Sequence, residues 1–206
     1  MPTGTDMGVD ADGGRRARGK GGVNDRVGAG ADGGEEEGGE REAGALAGEL
    51  GERLLARAAT LVTAESCTGG LLAAAVTGVP GSSGWFGTGF VTYADAAKRR
   101  LLGVPAATLE RDGAVSEATV RAMASGARER ADAFIAVAVS GIAGPDGGSA
   151  AKPVGTVWLG WARADGLLES ERHHFAGDRA AVREAAVRAA LRGTIRRVPD
   201  PREDRP

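Results

Sequence analysis

The spacing of apolar residues changes along the chain and indicates a helix first, then alternating strands and helices. Leu46, Leu50 and Leu54 repeat every four residues, which puts them on one face of an opening helix that ends near Ala59. Further on, short apolar runs alternate with alanine-rich segments, and glycine or proline separates them. The predicted strands are residues 60–64, 85–93, 133–139, 154–164 and 167–175, and the later helices begin near residues 71, 94, 105, 116 and 178.

The order of these elements predicts the fold class. Strands alternate with helices at first, and the last two strands are joined around Asp165 and Gly166, which is typical of a hairpin. The run 133–139 is apolar throughout, as expected for a central strand covered on both faces. We therefore expect an α/β fold, a single-domain α/β/α sandwich around a mixed β-sheet.

The two ends of the chain differ from the middle in composition. Residues 1–41 carry glycine and charge with almost no apolar side chain larger than valine, so they bury too little surface to offset the entropy of ordering. We expect a disordered N-terminal arm over 1–41 that is dispensable for fold and activity, a folded domain over 42–197 and a flexible tail over 198–206. The arm lacks the apolar segment of a secretory signal and no later segment would span a bilayer, which predicts a cytoplasmic protein without a membrane partner.

Charge and cysteine content argue against several classes of function. The formal net charge is -2 and basic residues are interleaved with acidic ones, so no positive stripe is available for nucleic acid. The chain has 1 cysteine, which excludes an internal disulfide and fits a reducing compartment. The 2 histidines are adjacent and would face opposite ways in a strand, so zinc is not expected.

Candidate chemistry is concentrated where a predicted strand meets a predicted helix, in the segment Ala-Glu-Ser-Cys-Thr-Gly-Gly at 64–70. A hydroxyl at such a junction lies at the mouth of a parallel sheet, beside glycines that let a substrate approach backbone N–H groups. Ser66 therefore stands where a nucleophile would be expected. Two alternatives remain open: Ser66 or Thr68 caps the following helix, or Cys67 is the nucleophile.

Lysine is rare in this chain, and its positions are informative. Only Lys20, Lys98 and Lys152 occur, although lysine and arginine together number 26. Lysine, unlike arginine, can lose its proton and serve as a general base. Lys98 follows the only tyrosine, Tyr93, by five residues, and a serine with a lysine base is the chemistry most compatible with these residues. The alternative is that Tyr93 is an ordinary core residue.

A glycine-rich loop follows the predicted strand 133–139 and has the sequence Ser-Gly-Ile-Ala-Gly-Pro-Asp-Gly-Gly over 140–148. Such loops present N–H groups to phosphate or to an oxyanion, although tight packing of a hairpin also requires glycine. Ligands of open α/β sheets bind outside the carboxyl ends of the strands, where we expect this loop to meet those of Ser66 and Tyr93. Neither a dinucleotide fingerprint nor a P-loop is complete in the sequence.

Five segments, in order between about residues 45 and 195, resemble the CinA C-terminal domain family. They are residues 64–70, Gly-Phe-Val-Thr-Tyr at 89–93 with Lys98, Gly-Ala-Val-Ser-Glu at 113–117, the glycine-rich segment 140–148 and Lys-Pro-Val-Gly-Thr-Val at 152–157. Members of this family include nicotinamide mononucleotide deamidases, so the resemblance implies an amidohydrolase of pyridine nucleotide salvage. It implies a nucleotide substrate, no metal or organic cofactor, and a homodimer.

The resemblance also implies roles for individual residues. The family's serine nucleophile falls on Ser66, its active-site tyrosine on Tyr93 and its lysine on Lys98. Lys98 would take the serine proton, directly or through Tyr93, and Ser66 would attack the carboxamide carbon. The expected oxyanion donors are the backbone N–H groups of Thr68, Gly69 and Gly70. The expected contacts to the substrate, above all to its ribose phosphate, are Gly141, Gly144, Asp146, Gly147, Gly148 and Arg179.

Two other functions fit the sequence. One is a non-catalytic, competence- or damage-associated interaction module, against which the joint presence of Ser66, Tyr93 and Lys98 argues. The other is an amidase for a different nucleotide-like amide, which differs from the deamidase only in pocket shape. The resemblance does not extend to the larger molybdopterin-binding-like domain of full-length CinA proteins.

Overall fold

A five-stranded mixed sheet forms the middle layer of the domain. The computed structural model describes residues 33–200, with side chains from residue 38 onward. The strands are β1 Leu61–Glu65, β2 Phe86–Val91, β3 Ile135–Gly141, β4 Thr156–Arg163 and β5 Leu168–His174, in the spatial order β2-β1-β3-β4-β5. β1 pairs in parallel with β2 and β3, whereas β4 is antiparallel to both β3 and β5. The predicted fold class is confirmed.

Helices cover both faces of this sheet. They are α1 Gly33–Ala56, α2 Leu71–Thr77, α3 Asp95–Leu102, α4 Ala106–Asp112, α5 Glu117–Ala131 and α6 Arg179–Arg197. α1, α2 and α6 pack together on one face, and α5 covers the other with α3 and α4 beside it. Among the helices of residues 33–200, none combines the length and the apolar composition that crossing a membrane requires.

Two of the predicted helix starts are fixed by side-chain caps. The hydroxyl of Ser116 accepts the N–H of Thr119 at 3.2 Å at the start of α5. The carboxylate of Asp178 accepts the N–H of Ala181 at 2.9 Å at the start of α6. Each cap satisfies an N–H group that has no partner within its own helix.

The first helix is longer than the leucine spacing predicted. It begins at Gly33, inside the segment that we assigned to the arm, and its contact with α6 continues before the leucines. The carboxylate of Glu42 pairs with Arg188 and Arg192 of α6, and Ala43 is buried. Residues 1–32 and 201–206 lie outside the described residues, so the predicted arm and tail remain predictions.

Side-chain size differs between the two faces of the sheet. The isoleucine and valine side chains of β3 face α1, α2 and α6, whereas Ala136 and Ala138 face α5. In β4, a Cβ at Gly160 would lie 2.7 Å from the carbonyl oxygen of Val120 in α5. Small residues on this face therefore let α5 pack close to the sheet.

We expect opposite stability effects from two glycine-to-alanine substitutions in helices. In Gly126→Ala the new Cβ would lie 1.8 Å from the carbonyl oxygen of Leu102, so α5 and α3 must separate. The free energy of unfolding should fall by about 1–3 kcal/mol, as in other overpacked sites. In Gly48→Ala the new Cβ has no atom within 4 Å, and the higher helix propensity of alanine should raise the free energy of unfolding by about 1 kcal/mol. Urea denaturation measures both changes, and equal stability of the two variants would contradict the close packing of α5 on α3.

Candidate active site

β1, β2 and β3 run in parallel, and the loops at their carboxyl ends line one cavity of about 260 Å³. Of the residues predicted for the site, the structure brings to this cavity Ser66, Tyr93, Lys98, Gly141, Gly144, Asp146, Gly147 and Arg179. It does not bring there Thr68, Gly69, Gly70 and Gly148. Within residues 33–200, no group of three or more histidine, cysteine, aspartate or glutamate side chains could hold a metal ion.

Lys98 is almost completely buried, with 1% of its surface exposed. Its Nζ donates to the carbonyl oxygens of Thr92 at 3.0 Å and Tyr93 at 3.1 Å, and lies 3.3 Å from Oδ1 of Asp95. Two carbonyls thus fix the direction of two N–H bonds, and the third position of the nitrogen is directed toward Asp95. Asp95 is not among the residues predicted for the site, although its spacing of three residues from Lys98 in a helix puts both on the same face.

Tyr93 lies just beyond the end of β2 and is 59% exposed, so the alternative that it belongs to the core is wrong. Its hydroxyl accepts a hydrogen bond from Nη2 of Arg179 at 3.0 Å. Nη1 of the same arginine donates to the carbonyl oxygen of Gly144 at 2.8 Å. Arg179, the first residue of α6, therefore bridges the loop after β2 and the glycine-rich loop.

The glycines of the loop after β3 serve close packing as well as the cavity. A Cβ at Gly141 would lie 2.7 Å from Cγ2 of Val157, and one at Gly144 would lie 2.6 Å from Cγ1 of Val154. Gly144 also has a φ of +88°, which other residues rarely adopt. A Cβ at Gly148 would lie 2.9 Å from the backbone nitrogen of Val154. Close packing thus explains part of the glycine content of this loop. Gly148 does not line the cavity, so packing is the only reason for a glycine there that the described residues show.

A buried carboxylate beside Ser66 is the main feature that sequence analysis missed. Glu65 is the last residue of β1 and has 0% of its surface exposed. Its carboxylate accepts the N–H groups of Gly70 at 2.9 Å, Leu72 at 3.1 Å and Ala73 at 2.9 Å. These donors stand at the start of α2 and have no acceptor within the helix.

The alternative that Ser66 or Thr68 caps α2 is wrong. The N-cap residue is Gly70, in the left-handed conformation with a φ of 101°, and Glu65 supplies the side-chain acceptor from the strand. The N–H of Gly69 donates to the carbonyl oxygen of Ser66 at 3.1 Å, and that of Gly70 donates to Glu65. Two of the three expected oxyanion donors therefore already have acceptors within the loop.

Cys67 lines the cavity next to Ser66, but burial raises the pKa of its thiol to about 11. The negative charge of Glu65 raises that pKa further, and the N–H groups of Cys67 and Thr68 and the charge of Arg183 act in the opposite direction. At neutral pH the sulfur is a protonated thiol, which is a poor nucleophile. Between the two neighbouring candidates, the environment favours the serine.

We expect the thiol of Cys67 to be alkylated slowly in the folded protein. With a pKa raised from 9.0 to about 11, the folded chain at pH 8 holds about one hundredth of the thiolate of an ordinary cysteine. The alkylation rate of folded protein should still rise above pH 9, where that of the urea-unfolded chain levels off. Iodoacetamide modification followed by mass spectrometry measures both rates, and identical pH profiles would contradict the raised pKa.

The fold and the cavity together define a single-domain α/β protein with a cavity at the carboxyl edge of its parallel strands, the place where open α/β sheets usually bind ligands. The family model of the CinA C-terminal domain matches residues 43–198, most of the chain. The chain belongs to this family.

Similar proteins match more than two thirds of the chain. The nicotinamide-nucleotide amidohydrolase PncC of Enterobacter agglomerans is 54% identical over 151 residues, which are 73% of this chain and 92% of that protein. The protein of the same name from Escherichia coli (strain K12) is 53% identical over 146 residues, 71% of this chain and 88% of that protein. The crystal structure of the competence/damage inducible protein CihA from Agrobacterium tumefaciens superposes with a TM-score of 0.74 at 44% identity, over 75% of this chain and 94% of that chain.

Proposed function

We propose that this chain is an amidohydrolase that converts nicotinamide mononucleotide to nicotinate mononucleotide and ammonia. One observation carries the proposal. Ser66, Tyr93 and Lys98 line a single cavity in a chain that shares 53–54% identity with relatives named nicotinamide-nucleotide amidohydrolase.

The proposed reaction has two stages. The Oγ of Ser66 attacks the carboxamide carbon of the nicotinamide ring as its proton passes to Lys98, and a tetrahedral intermediate forms. The carbon–nitrogen bond then breaks, the nitrogen takes the proton from Lys98, and ammonia leaves an ester on the serine. Lys98 takes one proton from a water molecule that attacks this ester, and passes it to the Oγ of Ser66 as the acid leaves. The carboxylic acid gives up the second proton of the water to solvent and becomes the carboxylate.

The geometry of Lys98 supports its role as the proton acceptor. A neutral amine has two N–H bonds, which can both be donated to the carbonyl oxygens of Thr92 and Tyr93, so its lone pair is left to accept a proton. Once protonated, the nitrogen has the carboxylate of Asp95 at 3.3 Å as a third partner. Lys98 can therefore change its protonation state without losing the two bonds that hold it.

Arg179 is our candidate for binding the phosphate of the substrate. Its guanidinium lines the cavity at the N-terminal end of α6, where the helix dipole also favours an anion. An arginine has five N–H donors, and the bonds to Tyr93 and Gly144 leave others available.

The first test of this mechanism is the substitution Lys98→Arg. Arginine keeps the charge but does not accept the proton, so turnover should fall by about 10²- to 10⁴-fold while the protein stays folded. Ser66→Ala should lose at least as much. Cys67→Ala is the matched control, because the neighbouring thiol has no role in the reaction. Ammonia release from nicotinamide mononucleotide measures all three, with nicotinamide riboside and free nicotinamide as comparison substrates.

The outcomes of this assay are distinct. A Lys98→Arg enzyme within about threefold of wild type, against the expected 10²-fold, would remove the lysine as the base. An inactive Cys67→Ala with an active Ser66→Ala would transfer the nucleophile to the thiol. Ammonia from another nucleotide-like amide, but not from nicotinamide mononucleotide, would change the substrate. No ammonia from any amide would favour the interaction module.

The second test concerns the phosphate. Arg179→Gln should reduce the preference for nicotinamide mononucleotide over nicotinamide riboside by about 10-fold or more, because a charge-assisted contact is lost. The ratio of the two kcat/KM values is the informative quantity, since any effect of the lost bond to Tyr93 applies equally to both substrates. An unchanged ratio would exclude Arg179 as the phosphate ligand. The homodimer and the place in pyridine nucleotide salvage implied by the family remain predictions.

A further inference from the structure

We propose that Glu65 and Arg183 are positioning residues that together hold the nucleophile loop, Ser66 to Gly69, in place. The inference rests on the proposed function in one respect, the assignment of Ser66 as the nucleophile. It assigns a task to two charged side chains that the proposed mechanism does not use.

The need for such positioning follows from Ser66 itself. In the described part of the chain, its hydroxyl makes no hydrogen bond, and its N–H donates to the carbonyl oxygen of Val139 at 2.9 Å. No side-chain bond therefore directs Oγ. The position of the nucleophile depends on the backbone of the loop that follows β1.

Glu65 holds this loop from the side of the sheet. Its three backbone hydrogen bonds join the end of β1 directly to the start of α2, so the residues between them form a closed turn. Among the described residues no arginine or lysine pairs with this carboxylate, which leaves the three N–H groups as its partners. A buried carboxylate needs all of them, because an uncompensated charge is costly to bury.

Arg183 holds the same loop from the side of α6. Its Nη2 donates to the carbonyl oxygen of Thr68 at 2.8 Å, and lies 3.5 Å from where a Cβ of Gly69 would be. The carbonyl of Thr68 also accepts the N–H of Leu71 at 3.3 Å. The loop is thus bound through its carbonyl on one side and through the N–H groups that follow it on the other.

A role of Glu65 and Arg183 in positioning Ser66 and a role only in stabilising the fold predict different kinetics for variants at these residues. If the two side chains set the reach of Ser66, their loss lowers kcat in protein that is still folded, since a displacement of about 1 Å costs about 10²-fold in rate. KM should change little, because neither residue lines the cavity. If they only stabilise the fold, kcat per folded molecule stays at the wild-type value.

The experiment compares Glu65→Gln and Arg183→Gln with two controls. Glutamine at position 65 keeps the size of the side chain but puts an NH₂ group against one of the N–H donors. Glu117→Gln, at the start of α5, and Arg188→Gln, on α6 away from the loop, remove the same charges elsewhere. We expect kcat to fall by about 10²-fold in the two test variants and to be unchanged in the controls. Arg183→Lys should recover part of the loss, because an ammonium can still donate to Thr68.

A second readout does not depend on turnover. The single cysteine responds to both charges: Glu65 raises the pKa of the Cys67 thiol and Arg183 lowers it. The NMR titration of a carbon-labelled Cys67 Cβ should therefore give a lower thiol pKa in Glu65→Gln and a higher one in Arg183→Gln. General destabilisation would not move the two variants in opposite directions.

The two readouts separate the possible failures. If folded Glu65→Gln and Arg183→Gln both turn over at the wild-type rate, or if their thiol pKa values do not diverge, the positioning role is wrong. If the wild-type protein releases no ammonia from nicotinamide mononucleotide, the proposed function fails, and the thiol titration alone decides whether the loop is held as described. If Glu65→Gln does not fold, kcat and the thiol pKa of the Arg183 variants are compared with those of the wild type. An unchanged kcat or an unchanged thiol pKa in Arg183→Gln then shows that the positioning role is wrong.

Discussion

The three hydrogen bonds between the Glu65 carboxylate and the start of α2 fix the loop that carries Ser66. α2 has seven residues, too few to be stable on its own, so its start must be held by the rest of the structure. Glu65 does this from the last position of β1. The same bonds occupy the N–H groups that a helix usually offers to an anion. The positive end of α2 is therefore used for the fold, and an anionic substrate must be bound by other groups.

α6 carries the arginines that reach the loops of the cavity. Arg179 and Arg183 are four residues apart and lie on the same face of this helix. Arg183 reaches the loop after β1, whereas Arg179 reaches both Tyr93 after β2 and Gly144 after β3. One helix thus contacts all three loops of the cavity. Because α6 also packs against α1 and the sheet, the relative positions of the loops are set by the core of the domain.

The sequence predicts those features that depend on neighbouring residues or on general topology. The helices predicted to begin near residues 116 and 178 do so, with Ser116 and Asp178 as their caps, and parallel strands bring Ser66 and Tyr93 to one edge. The role of Glu65 was not predictable in this way. Glu65 ends a buried strand, where the pattern of apolar residues does not lead one to expect a charged side chain. Its partners are backbone N–H groups at the start of α2, and they can be recognised only once the position of α2 in the fold is known. The ion pair between Glu42 of α1 and Arg192 of α6 was likewise not predictable, because the two residues are 150 positions apart in the chain.

The environment of the loop also explains why a serine is the better nucleophile there. A cysteine attacks as a thiolate, a full negative charge that must exist before the reaction. The burial of Cys67 and the nearby charge of Glu65 both oppose that charge and raise the pKa of the thiol. In the proposed reaction, Ser66 needs no such charge, since its proton leaves as the new bond forms. A buried carboxylate beside Ser66 is therefore compatible with the proposed attack by a neutral hydroxyl, and unfavourable for a thiolate at Cys67.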